Sequence, residues 1–259
     1  MRLDQLNRGD WALSAAGVWS DPRELVAHLR DNTNYFPAAE TLDWRSLCGE
    51  DARVLDLGCG SGWLTALLTR EPHVREVVAW DSSPRLLGEL LPVTVALLGG
   101  VVDKVEPVCG EFVPLLAEDG SFDLAVMSSA FHHSDRPDAL LDELRRVLRP
   151  GAVLVLLNET PWHPLAMAAF GLRTAGAALV NLIGPRSRLR HPGHLAADHA
   201  LYDPQLGDRA MTLPQWRDLA RRCGWSISRR DTGLSSYREH FRPRARFEPN
   251  LTHFLMRPD

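Results

Sequence analysis

Apolar residues fall in a regular rhythm along much of this 259-residue chain. Short apolar runs at 53–57, 76–80, 105–109, 122–128 and 152–157 have the length of strands and end at glycine or polar residues. Stretches of helical period separate them at 63–70, 84–91 and 138–148. In the last of these, Leu140, Leu141, Leu144, Val147 and Leu148 form one apolar face. Pro84 suits a first helical turn, with Ser82 or Ser83 as its cap. Strands that are apolar along most of their length are buried on both faces, which requires a parallel sheet between helical layers. Such sheets bind ligands beyond the carboxyl ends of their strands. Those ends hold 58–62, Asp81, Gly110 and Glu111, 128–133 and 158–160.

The rhythm breaks on both flanks. Residues 1–50 read as a helical N-terminal extension or cap, rich in aromatics (Trp11, Trp19, Tyr35, Phe36, Trp44). Residues 51–159 are the Rossmann-like core. Residues 160–224 read as a helical lid or substrate insertion after the fifth strand, and they include a helix at 213–223. Residues 225–259 supply two more strands, at 225–231 and 250–256, antiparallel at the sheet edge. The apolar stretch 165–183 approaches the ~20 residues of a membrane span. Arg173 in its middle and Gly171 and Gly176 make it a buried, lid or dimer helix instead. The chain is expected to be a monomer or a homodimer.

Charge and cysteine usage narrow the partners. Against 33 acidic residues stand 29 Lys and Arg, and the formal net charge is −4. That balance speaks against a nucleic-acid partner. Cys48, Cys59, Cys109 and Cys223 form no CxxC or metal spacing, so they read as reduced thiols of a cytoplasmic protein with no metal site. The first ten residues lack the apolar run of a signal peptide.

The chemistry concentrates in Val54-Leu55-Asp56-Leu57-Gly58-Cys59-Gly60-Ser61-Gly62-Trp63. Glycines let the backbone turn and approach a ligand, and the following helix points free N–H groups at it. Dinucleotide enzymes share such loops, but their spacing needs glycine or alanine where Trp63 stands. A carboxylate at Asp56 repels a pyrophosphate and attracts an ammonium. S-adenosylmethionine carries an ammonium and a sulfonium and no phosphate, so it fits. Asp81 ends the second strand, where an acid accepts hydrogen bonds from ribose hydroxyls. Glu111 can meet an adenine amine, and Phe112 can pack on the ring. Two structural roles stand beside these: Asp56 as a cap on the glycine turn and Asp81 as the N-cap of the next helix.

The stretch 51–159 resembles the class I S-adenosylmethionine-dependent methyltransferases, in the small-molecule branch related to ubiquinone-biosynthesis enzymes. The resemblance rests on DLGCGSG at 56–62, Asp81, CGE at 109–111, FDLAVMSSAFHH at 122–133 and LRPGAVLVL at 148–156. It implies a doubly wound, mostly parallel seven-stranded α/β sheet with an antiparallel edge. It places Asp56, Gly58, Gly60, Asp81, Ser82, Glu111, Phe112 and Ser128 at the S-adenosyl-L-methionine site, with Cys59 and Gly110 inside the same motifs. Glu111 stands where the family more often has aspartate, one methylene shorter.

Methyl transfer from a sulfonium is an in-line displacement in which alignment supplies much of the rate. A base helps when the nucleophile is protonated. His132, His133 and Glu159 are the catalytic candidates, although the histidines also suit a structural role beside the cofactor. Tyr35, Trp19, Trp162, His163 and Tyr202 are candidate substrate contacts. Metal-dependent methyl transfer would want aspartate after strand four and an Asp-Asn pair after strand five; Ser128-Ser129 and Asn158-Glu159 stand there. The expected activity is methyl transfer to a small molecule in secondary metabolism. The alternatives are a non-methylating use of the same cofactor and a non-catalytic partner subunit.

Overall fold

The computed structural model describes residues 21–162, 208–238 and 250–259, together with 194–195 and 201–203. Among these, three helices come first: α1 (Pro22–Asn32), α2 (Tyr35–Ala39) and α3 (Trp44–Cys48). The N-cap Asp21 accepts the backbone N–H of Arg23 at 2.8 Å, and Pro22 occupies the first turn, so α1 starts where a side-chain oxygen replaces a missing carbonyl. The alternating core follows as β1 (Ala52–Leu57), α4 (Trp63–Thr69), β2 (Val74–Asp81), α5 (Leu91–Leu97), β3 (Val105–Cys109), β4 (Phe122–Ser128), α6 (Pro137–Val147) and β5 (Leu148–Leu157). Then come β6 (His194–Leu195), β7 (Leu201–Asp203), β8 (Asp208–Ala210), α7 (Leu213–Arg222), β9 (Trp225–Ser235) and β10 (Asn250–Pro258).

Seven strands form one sheet in the order β3-β2-β1-β4-β5-β10-β9. The first five are parallel, and β10 pairs antiparallel with β5 on one side and β9 on the other. Strand order reverses between β1 and β4, which opens a crevice beyond their carboxyl ends. Successive residues along each strand serve opposite cores. Val54, Val77, Leu124, Val126, Val153 and Val155 pack toward the layer of α1, α3, α4 and α5. Leu55, Leu57, Val78, Trp80, Met127, Leu154, Leu156 and Phe254 pack toward α6 and α7.

The structure differs from the sequence reading in local detail. The helix expected at 84–91 is a π-turn at Leu86–Leu90 running into α5. Pro92 has no N–H to return to the preceding turn, so the ladder slips by one residue there. β5 begins at Leu148, with Pro150 and Gly151 inside it and an irregular register against β4 between Phe122 and Leu124. β3 is an edge strand and only partly buried, which accommodates Pro107. The antiparallel sheet β6-β7-β8 adds to the expected elements. The apolar stretch 165–183, Trp19 and His163 lie outside the described residues, and so does most of the expected lid. Among the described residues no helix is long and apolar enough to cross a membrane.

Candidate active site

The loop after β1 is shaped by its neighbour strand. The N–H groups of Gly58 and Cys59 both donate to the carbonyl of Trp80, at 2.7 and 3.1 Å, which folds the loop back over the end of β2. Gly58 has φ +74°, and a Cβ there would lie 2.7 Å from the Cβ of Ala130 and 3.2 Å from Cζ of Phe112. Gly58 therefore serves packing. Gly60, at φ +55°, would direct a Cβ into open space, so no protein atom covers the loop there and a ligand could approach its backbone. The Cys59 side chain is buried in the core beneath, and only its backbone belongs to the loop.

Two carboxylates define the electrostatics. Asp56 is 1% exposed, and burial pushes its pKa up to about 7. The Thr65 hydroxyl donates to it at 2.6 Å from the first turn of α4 and opposes that shift, while nearby Asp81 adds to it. No cationic side chain pairs with Asp56 among the described residues. Asp81 accepts the N–H of Gly60 through Oδ2 and that of Ser83 through Oδ1, each at 2.9 Å. It thus closes the turn into the following helix, one of the two roles the sequence leaves open. Each oxygen keeps a second lone pair. Burial raises the Asp81 pKa, and the backbone N–H groups of Ser83, Gly60 and Ser82 oppose that shift. The Ser82 carbonyl accepts the Cys109 thiol at 3.8 Å. Gly110 lies against the Trp80 indole, whose Nε1 donates to the Glu111 carbonyl at 3.1 Å. Glu111 is exposed, and Phe112 packs beside the glycine loop.

These features fit S-adenosylmethionine: an acid without a cation, open backbone at Gly60 and a hydroxyl-accepting carboxylate at Asp81. Asp56, Gly60 and Asp81 would hold it.

The third cluster joins β4 to β5. Glu159, 3% exposed, accepts the N–H groups of Ala130 and Phe131 through Oε1 at 3.1 and 2.9 Å. Its Oε2 meets His132 Nδ1 at 2.9 Å. Glu159 therefore anchors the 3-10 turn Phe131–His133 and orients His132, a positioning arrangement. The His133 ring lies 4.3 Å from that of His132 and is the more exposed of the two. Ser128 Oγ accepts the side-chain amide of Asn158 at 3.1 Å. Ser129 and Asn158 have φ +49° and +59°, so the chain leaves both strand ends through left-handed backbone. Among the described residues no three His, Cys, Asp or Glu side chains gather as a metal site.

The candidate substrate contacts are scattered. Tyr35 stacks on Trp63 at 5.9 Å, and Phe36 meets the same indole edge-on at 5.3 Å, so α2 covers the residue that closes the glycine loop. Trp162 is 38% exposed, and its backbone N–H donates to the Met211 carbonyl at 2.9 Å. Tyr202 lies on β7, paired with Arg209 of β8. Sequence reasoning flags neither Thr65 nor His253. A threonine in the first turn after a glycine loop is a legible signal; a histidine 95 residues beyond Asn158 is not.

Comparison with known proteins bears on the family, the fold and the cofactor. A methyltransferase-domain family matches residues 55–156. A ubiquinone biosynthesis O-methyltransferase of Xanthomonas oryzae pv. oryzae is 33% identical over 187 residues, covering 66% of this chain and 70% of the relative. Its Xanthomonas campestris pv. campestris counterpart is 32% identical with the same coverage. Among solved structures, a SAM-dependent methyltransferase of Aquifex aeolicus aligns with TM-score 0.55 at 18% identity, over 91% of this chain and 98% of its own. The 1,6-didemethyltoxoflavin-N1-methyltransferase of Burkholderia thailandensis aligns with TM-score 0.58 at 17% identity, over 99% and 88%. With the cofactor loop, its two acids and the strand order all in place, the chain belongs to the class I S-adenosylmethionine-dependent methyltransferases.

Proposed function

We propose that this methyltransferase acts on a hydroxyl of a small molecule, with His132 as the base that takes its proton, in the biosynthesis of a secondary metabolite. The observation that carries the reading is the buried Glu159 carboxylate against His132 Nδ1 at 2.9 Å. A carboxylate accepts only, so Nδ1 carries the proton and the lone pair is on Nε2, the form a general base needs. Glu159 is itself held by two backbone N–H groups, so the imidazole is oriented by the scaffold. The bound cofactor supplies an electrophilic methyl on a sulfonium. Asp56 would attract the ammonium end, and Asp81 would orient the ribose. The shape of the crevice at the ends of β1 and β4 would align the acceptor and exclude water. Tyr35 and Trp162 are proposed to wall the acceptor's side of the crevice. The relatives named as O-methyltransferases support the choice of oxygen, and the neighbour named for 1,6-didemethyltoxoflavin supports a small acceptor.

The test is incubation with methyl-labelled S-adenosylmethionine and separate small-molecule, protein and RNA fractions of a cell extract. Label in a small molecule as a methyl ether is expected; label confined to protein or RNA rejects the reading. On the product so identified, His132→Asn should lower kcat by about 10²- to 10⁴-fold, the usual contribution of a general base.

A further inference from the structure

His253 is fully buried on β10, beside the end of β5. Its two ring nitrogens serve different parts of the molecule. The backbone N–H of Asn158 donates to Nδ1 at 3.3 Å. An N–H can only donate, so Nδ1 holds the lone pair and Nε2–H donates to the Ala38 carbonyl at 2.9 Å. Burial lowers the pKa of this imidazole, which favours the same neutral form.

Ala38 belongs to α2, the helix whose Tyr35 and Phe36 rings pack on Trp63, the residue that follows the glycine loop. Asn158 stands at the other end of the link. Its left-handed backbone, φ +59°, persists only where neighbours hold it. The next residue, Glu159, donates its N–H to the Thr252 carbonyl at 3.1 Å and carries the carboxylate that orients His132. One ring therefore touches both the helix packed on Trp63 and the strand end that bears the base-orienting acid.

We propose that His253 is a positioning residue whose single neutral imidazole fixes the Asn158–Glu159 strand end, and through it His132, relative to the N-terminal helix that packs on Trp63. The proposal rests on the reading of His132 as the base, but the link itself can be measured without turnover.

Two substitutions separate the two bonds. His253→Gln keeps a donor near the Nε2 position and loses the acceptor for Asn158. His253→Asn keeps an acceptor near the Nδ1 position and loses the donor to Ala38. The experiment records the ring resonances of His132 in isotopically labelled full-length protein and the affinity for S-adenosylhomocysteine by calorimetry. His253→Gln should displace the His132 resonances and leave the affinity within about twofold. His253→Asn should restore the His132 resonances and weaken the affinity about three- to tenfold, the scale of one hydrogen bond. Unmoved His132 resonances in His253→Gln, or the same displacement in both variants, overturn the proposal. So does a wild-type His253 ring with its proton on Nδ1, a measurement that needs no variant. Full activity of His132→Asn on the identified acceptor would instead reject the base reading while leaving the resonance result standing.

Discussion

Among single side chains, Asp56 is the most consequential. Its carboxyl is pushed up to about 7 by burial, with Asp81 adding to the shift and Thr65 opposing it. The ionised form is the one that attracts an ammonium. Affinity for S-adenosylmethionine should therefore rise with pH through about 7, by up to about tenfold from pH 6 to 8, as calorimetry at several pH values would show. Asp56→Asn should bind more weakly and without that pH dependence. The two glycines of the loop should part company when replaced. Gly58→Ala forces a Cβ against Ala130 and Phe112 at positive φ and should cost about 2–4 kcal/mol of stability in denaturant titration. Gly60→Ala meets no protein atom and should cost about 1 kcal/mol of stability, with its main effect on cofactor affinity. The spacing DLGCGSG points to both glycines alike; only the packing separates a structural one from one that no protein atom covers.

Among the elements of the fold, the decisive piece is the short turn Phe131–His133, held from two sides. Glu159 binds its backbone, and Phe131 packs on Trp216 of α7 at 5.2 Å, which in turn meets Phe254 of β10 at 4.9 Å. α7 is well specified locally. Thr212 and Gln215 form a capping box, Leu213 opens the helix, and Pro214 follows in its first turn. Trp216, Leu219 and Ala220 form its buried face. Trp216→Leu removes the ring that spans Phe131 and Phe254. It should lower stability by about 2–4 kcal/mol in thermal or denaturant unfolding and lower kcat as the turn loosens. Helical period makes α6 and α7 legible from sequence, and the bounds of β3 and β4 are those the apolar runs predict. The π-turn before α5 is not legible, because the stretch 84–91 keeps helical spacing and Pro92 acts on the turn before it. The paired strands β6, β7 and β8 are too short for a period to declare itself.

For the molecule as a whole, two buried groups act against each other in the dependence of stability on pH. The folded pKa of Asp56 is raised, so its contribution is full below the unfolded value of 3.8 and is lost as pH rises through about 7. The folded pKa of His253 is lowered, so its contribution is full above the unfolded value of 6.5 and is lost as pH falls below it. In the mildly acidic range of the free protein the two act in opposite directions, and Asp81, its pKa also raised by burial, acts with Asp56. A bound ammonium would hold Asp56 ionised and remove its side of the balance. Between about pH 5 and 7, Tm should therefore rise more steeply with saturating S-adenosylhomocysteine than without it, and scanning calorimetry would read the difference directly.

What is local in this protein follows from the chain alone. Apolar runs and helical periods set the order of elements. The contiguous segment 54–63 and the strand-end Asp81 identify the cofactor, because a turn and its ligand contacts are built from neighbours in the chain. Packing in three dimensions sets which of the candidate acids and histidines act together. It pairs Glu159 with His132, sets His253 between Asn158 and Ala38, and lays Tyr35 and Phe36 on Trp63. Each of those contacts joins residues brought together only when strands order themselves in a sheet and helices close over it. Burial turns an ordinary carboxylate into one that titrates near neutrality and an ordinary imidazole into a fixed tautomer. It is a property of that packing and of no residue's place in the chain.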